Sequence, residues 1–290
     1  MSDSTSSGGS RVPPVIGTDK ALEQYQNEMQ RARRLRLGFP WVESTVKVSS
    51  GRYYVLAARP GLYKTTLAWT WAWNLALGGN PVLWVGLEMP PSQMMALALA
   101  RFSGIHRDAL DAHFGGTTKL FDSQIVNLQT QAIAAAQVHD LVFHQSEGTL
   151  AAVLDSMSKA PYAAVFVDYI QLVQGIGQSE TERIGSVSKA LAWHAHQRNV
   201  AVFALSQLNR AIDNVEGTGV KVRCPRLSDL KGSGQIEQDA DAVMFLHDPG
   251  IDPERDRTHP QLIVEKNRYG KGGIVKLQAK PEIGFIEEEA

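Results

Sequence analysis

The chain has 290 residues, 43% apolar and 20% charged, with a formal net charge of −1, enough for one large soluble domain or two small ones. No apolar run reaches the roughly 18 residues that cross a bilayer, and the N-terminal M-S-D-S-T-S-S-G-G-S lacks the charged-then-apolar order of a secretory signal. The single Cys224 excludes an intramolecular disulfide and fits a reducing cytoplasm; the near-zero charge argues against a coat of basic residues but leaves room for a local basic channel that binds nucleic acid.

Residues 1–17 are rich in Ser, Gly and Pro and read as a disordered tail. Thr18 or Asp19 can cap a helix running to about Leu37, with Leu22, Tyr25, Met29 and Ala32 as its apolar stripe. It ends in R-A-R-R-L-R, where cations suit a helix C-terminus. That helix can pack on its own domain, dock on a neighbouring subunit, or offer its arginines to nucleic acid. Gly38-Phe39-Pro40 breaks it. An apolar run, Tyr53 to Ala57, then reads as a buried strand. A tight turn through Arg59, Pro60, Gly61 and Tyr63 follows, and Lys64-Thr65-Thr66 open a helix to Leu77. Strand, turn, Lys-Thr and helix is the layout of a phosphate-binding loop. The pattern is imperfect, because Ala58 and Tyr63 stand where the motif has glycines.

Pro81 to Leu87 reads as a second buried strand, followed by Glu88 and a helix from Pro91 to about Phe102. Gly104 to Thr118 reads as irregular. Helices are expected near 123–137 and 149–158, with a short strand at 141–144 between them. Tyr162 to Val167 is a strongly apolar strand ending at Asp168. A Gly-rich loop at 174–179 leads into a helix to about Arg198, and Val200 to Leu205 is another buried strand ending at Ser206-Gln207. The polar stretch from Asn209 to Gly234 reads as a mobile loop or insertion. A strand at 242–246 and a hairpin of 261–265 with 273–278 close the chain. Short continuous apolar strands alternating with helices predict an α/β fold, a mostly parallel sheet flanked by helices, with the hairpin adding antiparallel strands.

In such sheets ligands bind at the carboxyl ends of the strands. Those ends carry Lys64-Thr65, Glu88, Asp168 and Gln207. Arg59, Pro60, Gly61, Tyr63, Lys64, Thr65 and Thr66 are the candidate phosphate-binding residues. Thr65 and Asp168 are the candidate magnesium ligands. A second carboxylate such as Glu88 could deprotonate an attacking water, and Gln207 could sense the outermost phosphate. Each alone also has a plain reading as a helix cap or solvated group.

With these residues in place the chain resembles the C-terminal motor domain of DnaB-type replicative hexameric helicases, over roughly Phe39 to Glu287. A-A-R-P-G-L-Y-K-T-T is similar to that family's A-A-R-P-S-M-G-K-T. Leu87-Glu88-Met89 matches L-E-M, and V-D-Y-I-Q-L from Val167 matches D-Y-L-Q-L. Ser206 to Arg210 matches S-Q-L-N-R. S-D-L-K-G-S-G-Q-I-E-Q-D-A-D, from Ser228, follows S-D-L-R-x-S-G-x-I-E-Q-D-A-D, and Lys266-Asn267-Arg268 falls on K-x-R. The resemblance implies a RecA-like P-loop core at 39–290, a linker helix at 18–38 that docks on the adjacent subunit, a ring of six copies, and ATP with Mg2+ held between subunits. It implies Glu88 as base, Asp168 as Walker-B acid, Gln207 as phosphate sensor, and Lys266 and Arg268 as cations reaching a neighbour's site. It also implies single-stranded DNA held in the channel at Lys231, Gly232 and Gly234, a loader or primase as possible partner, and 5′–3′ translocation in the cytoplasm of a prokaryote, phage or mobile element. The sequence departs from the family at Tyr63 and in having no counterpart of its N-terminal collar domain. Two alternatives stay open: a DNA-binding ATPase that does not unwind, and a nucleotide-binding ring whose turnover Tyr63 impairs.

Overall fold

The computed structural model describes residues 17–144, 147–209, 223–249 and 258–289. The expected disordered tail at 1–17 lies outside them except for Gly17, and so do residues 210–222 of the stretch from Asn209 to Gly234 expected as a mobile loop or insertion; its described part carries a short turn of helix at Leu227–Asp229. Two units separate at Arg33/Arg34. In the first, helix α1 (Thr18–Arg31) stands with Leu22 and Tyr25 exposed.

The second unit begins with a correction. The helix expected to reach Leu37 ends at Arg31. Arg34 instead bridges Ser49 in antiparallel fashion, and the Leu35 N–H donates to the Val48 carbonyl at 3.0 Å. Leu35, Leu37 and Phe39 are buried while Arg36 and Gly38 are exposed. That is a period of two, so the apolar pattern there is strand-like and belongs to the core. Pro40 then opens α2 (Pro40–Val46), with proline at the first helical position, where its missing N–H costs nothing.

The remaining elements are β1 (Tyr53–Ala58), α3 (Lys64–Leu77), β2 (Val82–Gly86), α4 (Pro91–Ser103), α5 (Arg107–Phe114), α6 (Asp122–Ala136), β3 (Leu141–Phe143), α7 (Leu150–Ser158), β4 (Ala164–Asp168), α8 (Glu180–Arg198), β5 (Ala201–Gln207), α9 (Ser233–Asp239), β6 (Ala242–His247), β7 (Gln261–Asn267), β8 (Gly273–Lys280) and β9 (Phe285–Glu288). The strands form one sheet in the order β3-β2-β4-β5-β1-β6-β7-β8-β9. The first six are parallel and the last three antiparallel, which bears out the expected architecture. Four elements were not expected. Helix α2 follows the break at Gly38-Phe39-Pro40 directly. Helix α5 lies in the stretch read as irregular, α9 lies at the end of the polar stretch, and β9 completes the sheet.

Successive strand residues point to opposite faces, and both faces are covered. Tyr54, Leu56, Trp84, Phe166 and Phe203 face one way, against Trp69, Trp71 and Trp73 of α3. Tyr53, Val55, Val85, Val167 and Val202 face the other, against Ile184, Val187 and Leu191 of α8 and Ile236 of α9. Phe166 and Phe203 stack at 4.6 Å with 6° between ring planes. Burial nearly all round makes α3 a central helix rather than a surface one. Its N-terminus is therefore fixed to the sheet, and the loop before it is held by a rigid frame. Helix α8 starts with a capping box, in which Ser179 accepts the Glu182 N–H at 3.1 Å while Glu182 accepts that of Ser179.

Candidate active site

Strands β1, β2, β4 and β5 end on one side of the sheet at Ala58, Gly86, Asp168 and Gln207. The turn after β1 closes when the Leu62 N–H donates to the Arg59 carbonyl at 3.3 Å. Gly61 has φ +76°, a conformation glycine takes without a steric cost. Tyr63 caps α3 at φ 42°, ψ 18°, in the left-handed region, while its ring packs on the core. The first N–H groups of a helix have no intrahelical partner, so the start of α3 faces the turn as a cradle for an anion.

The cleft so formed has a volume of about 270 Å³ and is lined by Arg59 to Thr66 together with Glu88 and Gln207. Behind Lys64 and Thr65, and not itself lining the cleft, lies Asp168, 2% exposed. Lys64 Nζ is 2.8 Å from Asp168 Oδ1, and the Thr65 hydroxyl donates to Asp168 Oδ2 at 2.8 Å. One buried carboxylate thus takes both side chains. These residues fit a nucleotide with magnesium. Thr65 and Asp168 are hard oxygen donors side by side, as Mg2+ requires, and Lys64 is the cation for an outer phosphate. Among the described residues no cluster of three His, Cys, Asp or Glu could hold a metal unaided. A small hard cation there would complete its shell with water and phosphate oxygens.

Glu88 is exposed at the mouth. The Leu87 N–H donates to the Asp168 carbonyl at 3.0 Å, which fixes the chain just ahead of Glu88. Gln207 is held from two sides. Its N–H donates to Gln171 Oε1 at 3.3 Å, while Gln171 Nε2 donates to Ser206 Oγ at 2.9 Å. The Tyr169 phenol lies near the Gln207 side chain. Burial, and next the charge of Glu88, hold that phenol's pKa above its ordinary value. Lys64 Nζ lies 5.0 Å from the centre of the Tyr169 ring. Tyr169 and Gln171 were not among the sequence candidates. The signal was available in the polar positions of V-D-Y-I-Q-L.

The other candidates lie elsewhere. Lys231 is on the same side of the sheet as the cleft, beyond the Leu208–Leu230 bridge, and pairs with Glu180 at 2.6 Å. Gly232 caps α9 at φ +83°, and a Cβ there would meet Ile184 at 2.9 Å. Gly234 lies in the first turn of α9 rather than in a loop. Lys266 and Arg268 are not in the cleft. Strand β7 runs antiparallel, with Asn267 opposite Ala242 and Leu262 opposite Leu246. The two cations therefore sit toward the far end of the sheet, about 10 Å (Lys266) and about 17 Å (Arg268) of strand from the level of Ala58. Burial, then the Arg268 charge, lower the Lys266 pKa from its ordinary value.

The profile described as DnaB-like helicase C terminal domain matches residues 38–288. The replicative DNA helicase DnaB of Pasteurella multocida (strain Pm70) is 33% identical over 247 residues, 81% of this chain and 51% of that protein. A probable plasmid replicative DNA helicase of Chlamydia trachomatis is 30% identical over 244 residues, 82% of this chain and 51% of that protein. The chain spans about half the length of these curated relatives. Among solved structures, the ATPase domain of G40P shares the fold at a TM-score of 0.82 and 24% identity, over 96% of this chain and 100% of that one. A DnaB-like replicative helicase, solved in relation to its interactions with primase, gives a TM-score of 0.80 at 25% identity, over 94% of this chain and 67% of that one.

Proposed function

The chain belongs to the DnaB-like helicase C-terminal domain family, and from that premise we propose that it is the ATP-driven motor of a ring-forming replicative helicase moving on single-stranded DNA. The observation that carries this reading is the double engagement of Asp168 by Lys64 and Thr65, two residues of a cleft that Glu88 and Gln207 also line. Lys64 binds the outer phosphates, released from Asp168 as they enter, and the turn from Arg59 to Tyr63 with the Thr66 end of α3 cradles them. Thr65 and Asp168 hold magnesium, which supplies positive charge against the phosphate oxygens. Glu88 accepts a proton from the attacking water, and Gln207 reads the outermost phosphate.

The position of Lys266 and Arg268 supports a role in trans. Neither can serve its own cleft, and a head-to-tail ring brings that end of one sheet to the next subunit's phosphates. Six copies, docking of α1 on a neighbour, DNA contact at Lys231, Gly232 and Gly234, and a loader or primase partner belong to the same proposal. So does a cytoplasmic site of action. Among the described residues no helix is long and apolar enough to cross a membrane.

The test is ATP hydrolysis with and without single-stranded DNA, followed by displacement of one strand from a forked duplex. Stimulated hydrolysis and displacement are expected. Stimulated hydrolysis without displacement would replace the helicase by a DNA-dependent ATPase. A second reading, a nucleotide-binding ring with slow turnover, rests on the left-handed Tyr63, and absence of hydrolysis in both conditions would favour it.

A further inference from the structure

Asp241 is 1% exposed and sits at the end of the sheet where Lys266 and Arg268 lie. Its carboxylate is fixed on one side by the Tyr53 N–H, which donates to Oδ2 at 2.9 Å. Its backbone joins the same strand, its own N–H donating to the Tyr53 carbonyl at 2.8 Å. The other oxygen, Oδ1, accepts from Arg268 Nη1 at 3.3 Å, and the Asp241 carbonyl accepts the Arg268 N–H at 2.8 Å. His196 Nε2 is 3.8 Å from Oδ2, and its other ring nitrogen lies 2.8 Å from the Gly51 carbonyl. A second Arg268 nitrogen, Nη2, donates to the Gln238 carbonyl at 2.5 Å, and Lys266 Nζ donates to the Glu237 carbonyl. Those carbonyls belong to the last turn of α9, where a helix leaves acceptors unsatisfied and favours cations.

A buried carboxylate is costly unless it is paired, and this one is paired in a fixed direction. Arg268 is half-exposed, at 45% of its side chain, so its guanidinium is gripped from beneath and presented outward. We propose that Asp241 is a positioning residue, which aims Arg268 at the phosphates held by the adjacent subunit. The inference rests on the trans role proposed above. A guanidinium on a long flexible stem loses rotamer freedom when it is fixed. Two acceptors that fix it beforehand, Asp241 Oδ1 and the Gln238 carbonyl, remove that cost from the moment of reaction, which is how a preorganised donor stabilises developing charge. Asp241 can be separated from a plain staple between β6 and β1. Asparagine keeps the volume and an acceptor for the Tyr53 N–H, and replaces the charged oxygen that holds Arg268 by an NH2 group that cannot accept from it.

The experiment uses the full chain, with steady-state ATP hydrolysis on saturating single-stranded DNA and binding of a fluorescent ATP analogue. Asp241→Asn should lower kcat about tenfold or more, with nucleotide affinity within about twofold of wild type. In an Arg268→Ala background it should cause no further loss, since residues acting as one unit are non-additive. If Arg268→Ala abolishes turnover while Asp241→Asn keeps the wild-type kcat, the positioning role is overturned and the trans role stands. If Arg268→Ala itself keeps the wild-type kcat, both fall. A further loss in the Arg268→Ala background would show that Asp241 acts through something else. Should Asp241→Asn melt below the assay temperature, the wild-type assembly with a non-hydrolysable ATP analogue decides. Arg268 must then touch the neighbour's phosphate while still bonded to Asp241. An Arg268 that has left Asp241, or that touches no phosphate, overturns the proposal.

Discussion

Lys64 and Asp168 form a 2.8 Å ion pair with side chains 9% and 3% exposed, so the resting phosphate loop holds its cation on its own carboxylate. Phosphate must outbid Asp168 for Lys64. Removing one partner of a buried pair leaves the other charge uncompensated, at roughly 3–5 kcal/mol; the open cleft and the Thr65 hydroxyl put this site near the low end. Lys64→Ala is therefore expected to lose at least about 2 kcal/mol of stability by urea unfolding and to abolish hydrolysis. Asp168→Asn should also abolish hydrolysis. Hydrolysis at the wild-type rate in Lys64→Ala would end the phosphate-loop reading.

Lys231, the lysine proposed to meet DNA, is paired with Glu180 at 2.6 Å, and both are well exposed. A DNA phosphate must displace Glu180. Exposed pairs contribute about 0–1 kcal/mol, so Glu180→Gln should tighten single-stranded DNA binding by no more than about fivefold. Lys231→Ala should weaken it and reduce the slope of log affinity against log salt by about one. An unchanged slope in Lys231→Ala would remove this lysine from the DNA contact.

The turn that carries Lys231 is held by Asp229. Both its oxygens take Arg223, at 2.6 and 2.7 Å, and Oδ2 also accepts the Arg226 N–H at 2.7 Å. The Arg223 hydrogen bond, foremost, holds the Asp229 pKa below its ordinary value. A carboxyl whose pKa falls on folding contributes stability that is present above its unfolded pKa and is lost as pH drops through the folded one. This contribution should therefore be complete at neutral pH and fade below about pH 4. Asp229→Asn should lower stability at pH 7 and flatten its fall between pH 5 and pH 3, measured by urea unfolding. Parallel curves for the two proteins would show that Asp229 is not coupled to folding.

The parallel sheet and the cleft were legible because buried parallel strands are continuous apolar runs and their chemistry sits just past the last apolar residue. Val165, Phe166, Val167 and Asp168 make that pattern. What misled is the stretch after Arg31. Arginines at a predicted helix end look like good C-terminal residues, yet Leu35, Leu37 and Phe39 alternate with a period of two and enter the core. Helix α5 was hidden because its only buried residue is Leu110, so no apolar stripe announces it. Gly234 reads locally as a turn, but Ile236 is buried against α8 and tertiary packing makes the segment helical. Tyr169 and Gln171 were overlooked for a different reason. Gln171 gains its role from hydrogen bonds to the end of β5 and Tyr169 from its place beside Lys64, which no local pattern encodes.

Tyr63 isolates the backbone requirement of the phosphate loop from the side chain that meets it. At φ 42° a residue other than glycine carries a strain of about 1–2 kcal/mol. Tyr63→Gly removes that strain but gives up the packing of the ring on the core and adds freedom to the unfolded chain, worth roughly 0.4–1 kcal/mol. These effects oppose each other, so its stability should stay within about 1 kcal/mol of wild type. Asparagine tolerates the left-handed region and valine does not. If the loop needs the backbone conformation, Tyr63→Gly and Tyr63→Asn should hydrolyse ATP at least as fast as wild type. Tyr63→Val should then be both less stable and slower. If all three variants lose turnover alike while remaining folded, the phenol ring itself serves the nucleotide and the backbone account is wrong.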